Sequence, residues 1–469
     1  MPQNILLRIL AVAAAFVIVS TPTFADNDLA GTWAGTLVFG EQKLALVFNI
    51  TLNPDGTVTA TADSPDQGAT GIPVKEMRFE DGHVFIDVAV TGGVFEGDLS
   101  EDKTSITGEW RQSGLVLPLV LEKTDKAPTL NRPQTPEPPF PYDAVEVTYR
   151  NEKAAITLAG TLTLPRGESP VPAVLLISGS GAQDRDETIM GHKPFLVLAD
   201  YLTSRGIAVL RVDDRGVGGT DRGPADPTSL DFVGDALAGI GFLKNHPKVS
   251  HDQIGLVGHS EGAMIAAMAA VESPDDIAFI VMMGGSGIAG EQLIYLQLEH
   301  TMRAEGASED EITETLELQR ALFAVLRENL DDSTARRKMV DIYRNSLPDS
   351  IRNIADADVL PAIDPALTAW YKFFIAYDPT DALRQVRCPV LGLIGEKDVQ
   401  VPPKENLPPI ETALREGGNT NFTVKELEGL NHLFQTAGTG GISEYGKIEE
   451  TMAPVALETI TEWIQSQLE

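Results

Sequence analysis

The chain has 469 residues, with 36 Lys and Arg against 68 Asp and Glu, which gives a formal net charge of −32. This excess of negative charge argues against nucleic acid and anionic membrane surfaces as partners. The length has room for two or three domains. A single cysteine, Cys388, cannot form an internal disulfide, so packing has to stabilise the fold.

The first 25 residues have the pattern of a signal peptide. Arg8 supplies the positive charge, Ile9–Val19 form an apolar core, and Thr23–Ala25 read Thr-Phe-Ala, a small-x-small cleavage site. The apolar core is too short to be a membrane span. We therefore expect an exported bacterial protein, periplasmic or secreted, that begins at Asp26 and does not insert stably into the membrane.

Residues 26–124 predict a small antiparallel all-β domain. Short alternating segments such as Leu44–Ile50 and Val84–Val88 recur there, separated by glycine-rich turns. We interpret this region as an accessory barrel or sandwich, with a ligand-binding barrel as the alternative. Six prolines follow between Ala127 and Pro141, so residues 125–141 are predicted to be an extended linker.

Residues 142–469 alternate strand-like and helical segments, which predicts an α/β fold with a mostly parallel sheet and helices on both faces. The alternation of strand-like and helical segments is interrupted at about 288–380, where no strand pattern occurs. A capping box at Ser308–Glu311 indicates that this insertion is helical. We expect it to form a cap over the site. The strand-like runs begin at Val174, Ala208, Ile254, Phe279, Pro389 and Phe422.

The motif Gly-His-Ser-Glu-Gly at 258–262 predicts a nucleophile elbow, the sharp turn that exposes a serine between a strand and a helix. An apolar run, Gln253–Val257, precedes it, and a run of helix-forming residues, Ala263–Ala270, follows it. Ser260 is therefore the candidate nucleophile. His259 adjoins it, but neighbouring side chains diverge on a tight turn, so His259 is expected to pack beside the sheet.

A serine hydroxyl needs a base, and the base needs an orienting acid. Of the seven histidines, His432 is the one that follows the last strand-like run, Phe422–Leu427. Asp398 follows the preceding strand-like run and is the predicted acid, with Glu396 as the alternative. The chain order Ser260, Asp398, His432 then matches the order of the α/β-hydrolase triad.

Acyl transfer also needs hydrogen-bond donors for the oxyanion that develops on the substrate. We assign one to the backbone N–H of Glu261, which directly follows the nucleophile. The second is assigned to Ser180, or alternatively Gly181, in the glycine-rich loop after the strand at Val174.

Together these motifs resemble the α/β-hydrolase superfamily, and within it the bacterial extracytoplasmic esterases grouped with serine-aminopeptidase-like hydrolases. The resemblance covers residues 142–469. It implies an α/β-hydrolase fold and hydrolysis of carboxylic esters through a Ser-His-Asp triad, without a metal or cofactor. The segments that carry it are Ser178–Asp186, Asp213–Gly218, Gly258–Gly262, and Gly395–Asp398 with Asn431 and His432.

Aromatic residues including Trp370 and Phe374 share one face of the last predicted cap helix. They either pack the cap against the sheet or form an apolar wall for the substrate, the role in which Trp370 and Phe374 are candidate substrate-binding residues. The predicted partner is a small-molecule ester. The alternatives are an exported serine peptidase or amidase of the same fold and a non-catalytic binding protein.

Overall fold

A computed structural model of the chain describes residues 29–39, 42–53, 57–65, 69–88, 91–112, 115–125, 130–328, 330–349 and 352–468. The predicted signal peptide, residues 1–25, lies outside the described residues. The chain divides into two compact units between Asn131 and Arg132.

The described residues of the first unit form one antiparallel sheet of nine strands, which confirms the predicted all-β domain. Its two edge strands, β4 and β5, are consecutive in the chain and are joined through Val74 and Lys75. The Val74 N–H donates to Ala60 in β3, whereas the Lys75 N–H donates to Asp87 in β6. The sheet therefore curls until its two edges meet. Its strands are β1 Gly31–Phe39, β2 Gln42–Leu52, β3 Val58–Ser64, β4 Ala69–Pro73, β5 Glu76–Glu80, β6 His83–Val88, β7 Gly93–Leu99, β8 Ser105–Gln112 and β9 Leu115–Thr124.

The second unit is built on an eight-stranded sheet in the order β10-β11-β13-β12-β14-β15-β16-β17. The contacts of β11 with β10 and β13 are antiparallel, and all the other strand pairs are parallel. Each predicted strand-like run coincides with one of these strands, although β16 begins at Val390, one residue after the predicted start at Pro389. The strands are β10 Asp143–Asn151, β11 Ile156–Leu164, β12 Val171–Ile177, β13 Ala208–Val212, β14 Val249–His259, β15 Phe279–Met283, β16 Val390–Gly395 and β17 Phe422–Leu427.

Helices cover both faces of this sheet, as predicted. Successive side chains of a strand point to opposite faces, so Ala173 and Leu175 join one apolar core whereas Val174 and Leu176 join another. Helices α2, α3 and α10 pack on the first core, and α1 and α12 on the second. They are α1 Pro194–Thr203, α2 Ser229–Lys244, α3 Glu261–Glu272, α10 Pro403–Glu416 and α12 Pro454–Leu468, and short α11 Ile442–Tyr445 precedes the last of them.

The described residues between β15 and β16 form six helices, within and just beyond the predicted insertion. Ser308 accepts the Glu311 N–H and opens the second of these helices with the predicted capping box. The Asp364–Leu367 segment is a 3₁₀ turn, and the helix that carries Trp370 and Phe374 begins after it with Thr368 as its N-cap. The six are α4 Gly290–Ala304, α5 Glu309–Arg327, α6 Asp332–Ser346, α7 Asp356–Ile363, α8 Ala369–Ala376 and α9 Thr380–Leu383.

Part of the predicted linker is bound to the second unit. Arg132 donates to the carbonyl oxygens of Met190, Gly446 and Ile448 at 2.8 to 3.0 Å. Gln134 donates to the Met452 carbonyl at 2.8 Å and accepts the backbone N–H groups of Thr451 and Met452. Among the described residues, no helix has the length and apolar character needed to cross a bilayer.

Candidate active site

Ser260 lies in a strained turn between β14 and α3, with φ 53° and ψ −117°. A non-glycine residue at positive φ is uncommon and marks a backbone that its surroundings hold in place. Glycines make the turn sterically feasible, because a Cβ on Gly258 would lie 2.1 Å from the Gly262 carbonyl oxygen, and a Cβ on Gly262 would lie 2.1 Å from the Ile177 carbonyl oxygen. The motif thus folds as the sharp turn that the sequence predicts.

The imidazole of His432 is bonded to the carboxylate of Asp398. Its Nδ1 lies 2.7 Å from Asp398 Oδ2, and both side chains are buried. The other carboxylate oxygen accepts the backbone N–H groups of Gln400 and Val401 at 2.9 and 2.7 Å. With Nδ1–H donating to Asp398, the Nε2 atom is left as a proton acceptor. Glu396, the alternative acid, instead accepts the Gly429 N–H at 2.8 Å.

Ser260 and His432 both contact the turn after β15. The Ser260 N–H donates to the Met283 carbonyl at 2.8 Å. The next residue, Gly284, packs against His432, where an added Cβ would lie 3.1 Å from Nδ1 and Cε1. Among the described residues, the Ser260 hydroxyl makes no hydrogen bond to His432, and such bonds often tighten only when substrate binds.

The loop after β12 lies beside the nucleophile, since a Cβ on Gly179 would be 3.2 Å from the Ser260 Cβ. The Gly179 N–H is already used, because it donates to Glu187 Oε1 at 2.7 Å. The Glu261 N–H is the first of α3, where no intrahelical acceptor precedes it. The assignment of the second oxyanion donor to Ser180, or to Gly181, stays a prediction.

A cavity of about 590 Å³ extends from this loop under the cap helix α8. Trp370 lines it, whereas Phe374 is not among the lining residues and stacks on the Trp370 ring, with the ring centroids 5.5 Å apart. The substrate-binding role of Trp370 stays a prediction. Apolar side chains form most of its wall, and five carboxylates and one arginine also line it. The apolar group includes Tyr149, Leu158, Leu175, Val212, Phe232, Ile265 and Trp370, and the charged group is Asp213, Asp214, Arg215, Asp226, Asp235 and Glu261.

The side chain of Glu261 connects the cap to the elbow, a contact that the sequence did not indicate. Its Oε1 accepts the Trp370 Nε1–H at 2.8 Å and the Ser229 hydroxyl at 2.6 Å. A glutamate in the first turn of a helix is expected from the helix dipole alone. Nothing local in the sequence therefore pointed to its partners.

The charged segment Asp184–Asp186 forms ion pairs with residues at the end of the sheet and hydrogen bonds within its own loop. Arg185 donates to both carboxylate oxygens of Asp213, at 3.0 and 2.7 Å, and Asp186 pairs with Arg211. Asp184 Oδ1 accepts two backbone N–H groups of its own loop at 3.0 Å each. These ion pairs hold the loop that carries Gly179 and Ser180 against the end of the sheet.

His259 also has a partner that sequence analysis missed. Its Nδ1 lies 2.8 Å from Glu187 Oε1 and its Nε2 lies 3.0 Å from the backbone oxygen of His432. Burial by itself would lower the pKa of His259, but the Glu187 carboxylate and these hydrogen bonds outweigh it and raise the pKa. Among the described residues, no group of His, Cys, Asp and Glu side chains has a metal-binding arrangement.

A strained serine at a strand–helix turn, with a buried His–Asp pair at the ends of later strands of the same sheet, defines the class of α/β hydrolases. The profile of the Alpha/beta hydrolase family matches residues 174–438, which is more than half of the chain. The chain belongs to this family.

Relatives of the chain include esterases. It is 31% identical to esterase EstD of Thermotoga maritima over 284 residues, which are 59% of this chain and 58% of that protein, so the match spans little more than half of the relative. Among solved structures it is similar to the Pyrococcus furiosus esterase Pf2001, at 16% identity and a TM-score of 0.41 over 70% of this chain and 92% of that one. It is also similar to Est1E of Butyrivibrio proteoclasticus with bound ferulic acid, at 16% identity and a TM-score of 0.40 over 69% of this chain and 99% of that one.

Proposed function

We propose that the protein is a serine hydrolase that cleaves carboxylic esters with Ser260 as nucleophile, His432 as base and Asp398 as orienting acid. The observation that carries the proposal is the buried bond of 2.7 Å between His432 and Asp398 next to a serine at positive φ. A His–Asp bond of this kind leaves Nε2 as a proton acceptor, which is the state that a base for Ser260 requires. The name of the relative EstD supports an ester as the bond that is cleaved.

In the first half-reaction, Ser260 Oγ attacks the ester carbonyl carbon while His432 Nε2 takes the hydroxyl proton. The carbonyl electron pair moves onto oxygen, and the backbone N–H groups of Glu261 and Ser180 stabilise the oxyanion. The intermediate collapses, the alcohol leaves with the proton from His432, and the acyl group stays on Ser260. Water then attacks in the same way and releases the acid.

The cavity supports a neutral, largely apolar acyl group as the substrate class. A volume of about 590 Å³ lies in the range of small-molecule sites. The carboxylates of Asp226, Asp235 and Glu261 face it, and Arg215 is already paired with Asp235 at 2.6 Å. An acyl group that ends in a carboxylate would therefore meet net negative charge and bind less well.

The test is hydrolysis of p-nitrophenyl esters of increasing acyl length by the wild type and by Ser260→Ala. We expect wild-type turnover with an optimum in chain length, and loss of activity by a factor of about 10⁴ or more in the variant, because the nucleophile is gone. Equal activity in the two proteins would contradict the triad. Hydrolysis of anilides with the same acyl groups distinguishes an esterase from a peptidase or amidase. Amide turnover that matches ester turnover would favour the peptidase or amidase.

The non-catalytic alternative is tested by labelling with a fluorophosphonate, which reacts with an activated serine. We expect labelling of the wild type and none of Ser260→Ala. A wild-type protein that neither turns over esters or anilides nor labels would favour a binding protein.

A further inference from the structure

Glu187 and His259 form a buried pair beside the proposed triad. Their exposed fractions are 1% and 4%, and Glu187 is held at a positive φ of 53°. One carboxylate oxygen, Oε1, lies within hydrogen-bond distance of both the Gly179 N–H, at 2.7 Å, and His259 Nδ1, at 2.8 Å. On its other side, His259 Nε2 lies 3.0 Å from the backbone oxygen of His432.

The partners of His259 determine which protons it carries. A backbone carbonyl oxygen can only accept a hydrogen bond, so Nε2 must carry a proton. Glu187 Oε1 also accepts the Gly179 N–H, and a carboxylate oxygen is a better acceptor for two N–H groups than the hydroxyl oxygen of a neutral carboxyl group. We therefore assign the second proton to Nδ1, which makes His259 an imidazolium paired with a carboxylate. Apart from Glu187, the ionisable groups facing it are the His432 ring, with centroids 4.8 Å apart, and Asp398.

We propose that the Glu187–His259 pair is a positioning device that fixes the oxyanion loop and the loop of the general base relative to the nucleophile. The proposal rests on the proposed function of Ser260 and His432. Glu187 holds Gly179, the residue before the predicted oxyanion donor Ser180. His259 directly precedes Ser260 and holds the backbone of His432.

The positions of the three loops explain why such a connection is useful. Gly179 follows β12, His259 ends β14, and His432 follows β17, which is separated from β14 by two strands. No backbone ladder joins β14 to β17, whereas the His259 side chain connects their carboxyl ends through one hydrogen bond. The pair thus couples all three loops in a single chain of contacts.

Packing alone does not account for an ion pair at this position. Removing two charges from water costs free energy, and apolar side chains of similar volume often give equal or greater stability. Such a pair supplies hydrogen bonds of fixed geometry, which an apolar contact cannot supply. A misplacement of about 1 Å in a catalytic site is enough to lower the rate about 100-fold.

The kinetic test uses Glu187→Gln, which keeps the size of the side chain but removes its charge. We expect kcat for a p-nitrophenyl ester to fall about 100-fold while KM changes less than about 2-fold, because donors that act on the transition state are misplaced and the cavity is intact. His259→Asn should lower kcat similarly, and the double variant should lose no more than the worse single variant, because the two residues act as one unit.

Glu444→Gln is the matched control. Glu444 also holds backbone N–H groups, those of Gly438, Thr439 and Gly440 at 2.9 to 3.1 Å, at the far end of the segment after β17, and its side chain bonds to none of Gly179, His259 and His432. We expect Glu444→Gln to lower Tm while kcat stays at the wild-type value. A drop in kcat that merely follows Tm in both variants would overturn the positioning role.

A spectroscopic test needs no variant to fold. The measurement is an NMR spectrum of wild-type protein labelled with ¹⁵N-histidine at about pH 7.5. The signals of the His259 ring are assigned through its contact with Phe434. We expect both ring nitrogens of His259 to be protonated. A neutral His259 ring would overturn the inference.

The variants separate this inference from the proposed function. If Ser260→Ala is inactive but Glu187→Gln keeps the wild-type kcat, the positioning role is contradicted while the proposed function of Ser260 stands. An active Ser260→Ala would remove the proposed function and the inference with it.

Discussion

At the scale of single residues, Asp214 lines the cavity and has a raised pKa. Its two carboxylate oxygens accept the Ser178 hydroxyl and the Gln183 N–H, both at 2.9 Å. Burial raises the pKa of Asp214 to about 7, those two hydrogen bonds oppose the rise, and the carboxylates of Glu187 and Glu261 add to it. An unfolded aspartate titrates near pH 3.9, so between about pH 4 and pH 7 the folded state holds a proton that the unfolded state has lost.

This difference in proton binding makes the free energy of unfolding fall as pH rises from about 4 to 7 and leaves it level above that range. Asp214→Asn has the same shape, does not titrate, and can still accept from Gln183 and donate to Ser178. We expect its Tm to fall less than that of the wild type between pH 5 and pH 7.5 in scanning calorimetry. Asp275→Asn, at an exposed site, should keep the wild-type slope. Parallel slopes in wild type and Asp214→Asn would contradict the prediction.

At the scale of elements, helix α8 connects the cap to the active-site helix α3. The Trp370 indole donates to Glu261, and Phe374 stacks behind it one turn later. Glu261 is at once the proposed oxyanion donor through its backbone and the attachment point of the cap through its side chain. Loss of the indole therefore changes the cavity wall and the cap contact together, whereas loss of the Phe374 ring removes packing behind that wall.

These two aromatic residues give a matched pair of variants. Trp370→Phe removes the bond to Glu261 and part of the cavity wall, so we expect the optimum in acyl chain length to shift toward longer chains, measured as kcat/KM across the p-nitrophenyl series. Phe374→Ala should lower the free energy of unfolding by about 2–3 kcal/mol, somewhat less than a fully buried phenylalanine, and leave the optimum unchanged. A shifted optimum in Phe374→Ala would place that side chain in the substrate site.

Local patterns predicted the elements of this fold far better than its side-chain partners. The elbow was predictable because its glycines and flanking runs are contiguous, and the parallel strands because each is a short apolar run. Which of Trp370 and Phe374 lines the cavity was not predictable, because a shared helix face does not reveal which side chain reaches a cavity. The Glu187–His259 pair joins residues 72 positions apart, and a buried ion pair leaves no periodic signal in the sequence.

At the scale of the whole molecule, the boundary between the two units lies inside the proline-rich segment. Six prolines in fifteen residues predict an extended backbone, but they do not tell whether that backbone is solvated or bound. Arg132 and Gln134 bond to carbonyl and N–H groups more than 300 residues away, and only the three-dimensional structure reveals such contacts. The segment after Asn131 therefore contributes to the stability of the second unit.

All the described residues of the candidate site belong to the second unit, so residues 130–469 alone should keep the wild-type kcat for a short p-nitrophenyl ester. A shorter protein that begins at Asp143 lacks Arg132 and Gln134 and also Tyr142, whose hydroxyl donates to Asp200 at 2.9 Å. We expect its Tm to fall by several degrees relative to residues 130–469, since a few buried hydrogen bonds contribute about 1 kcal/mol each. Both proteins would be compared by calorimetry and by kcat. A folded 130–469 protein without activity would show that the β unit contributes to catalysis. Equal Tm values for the two shortened proteins would show that the bonds of Arg132 and Gln134 add nothing to stability.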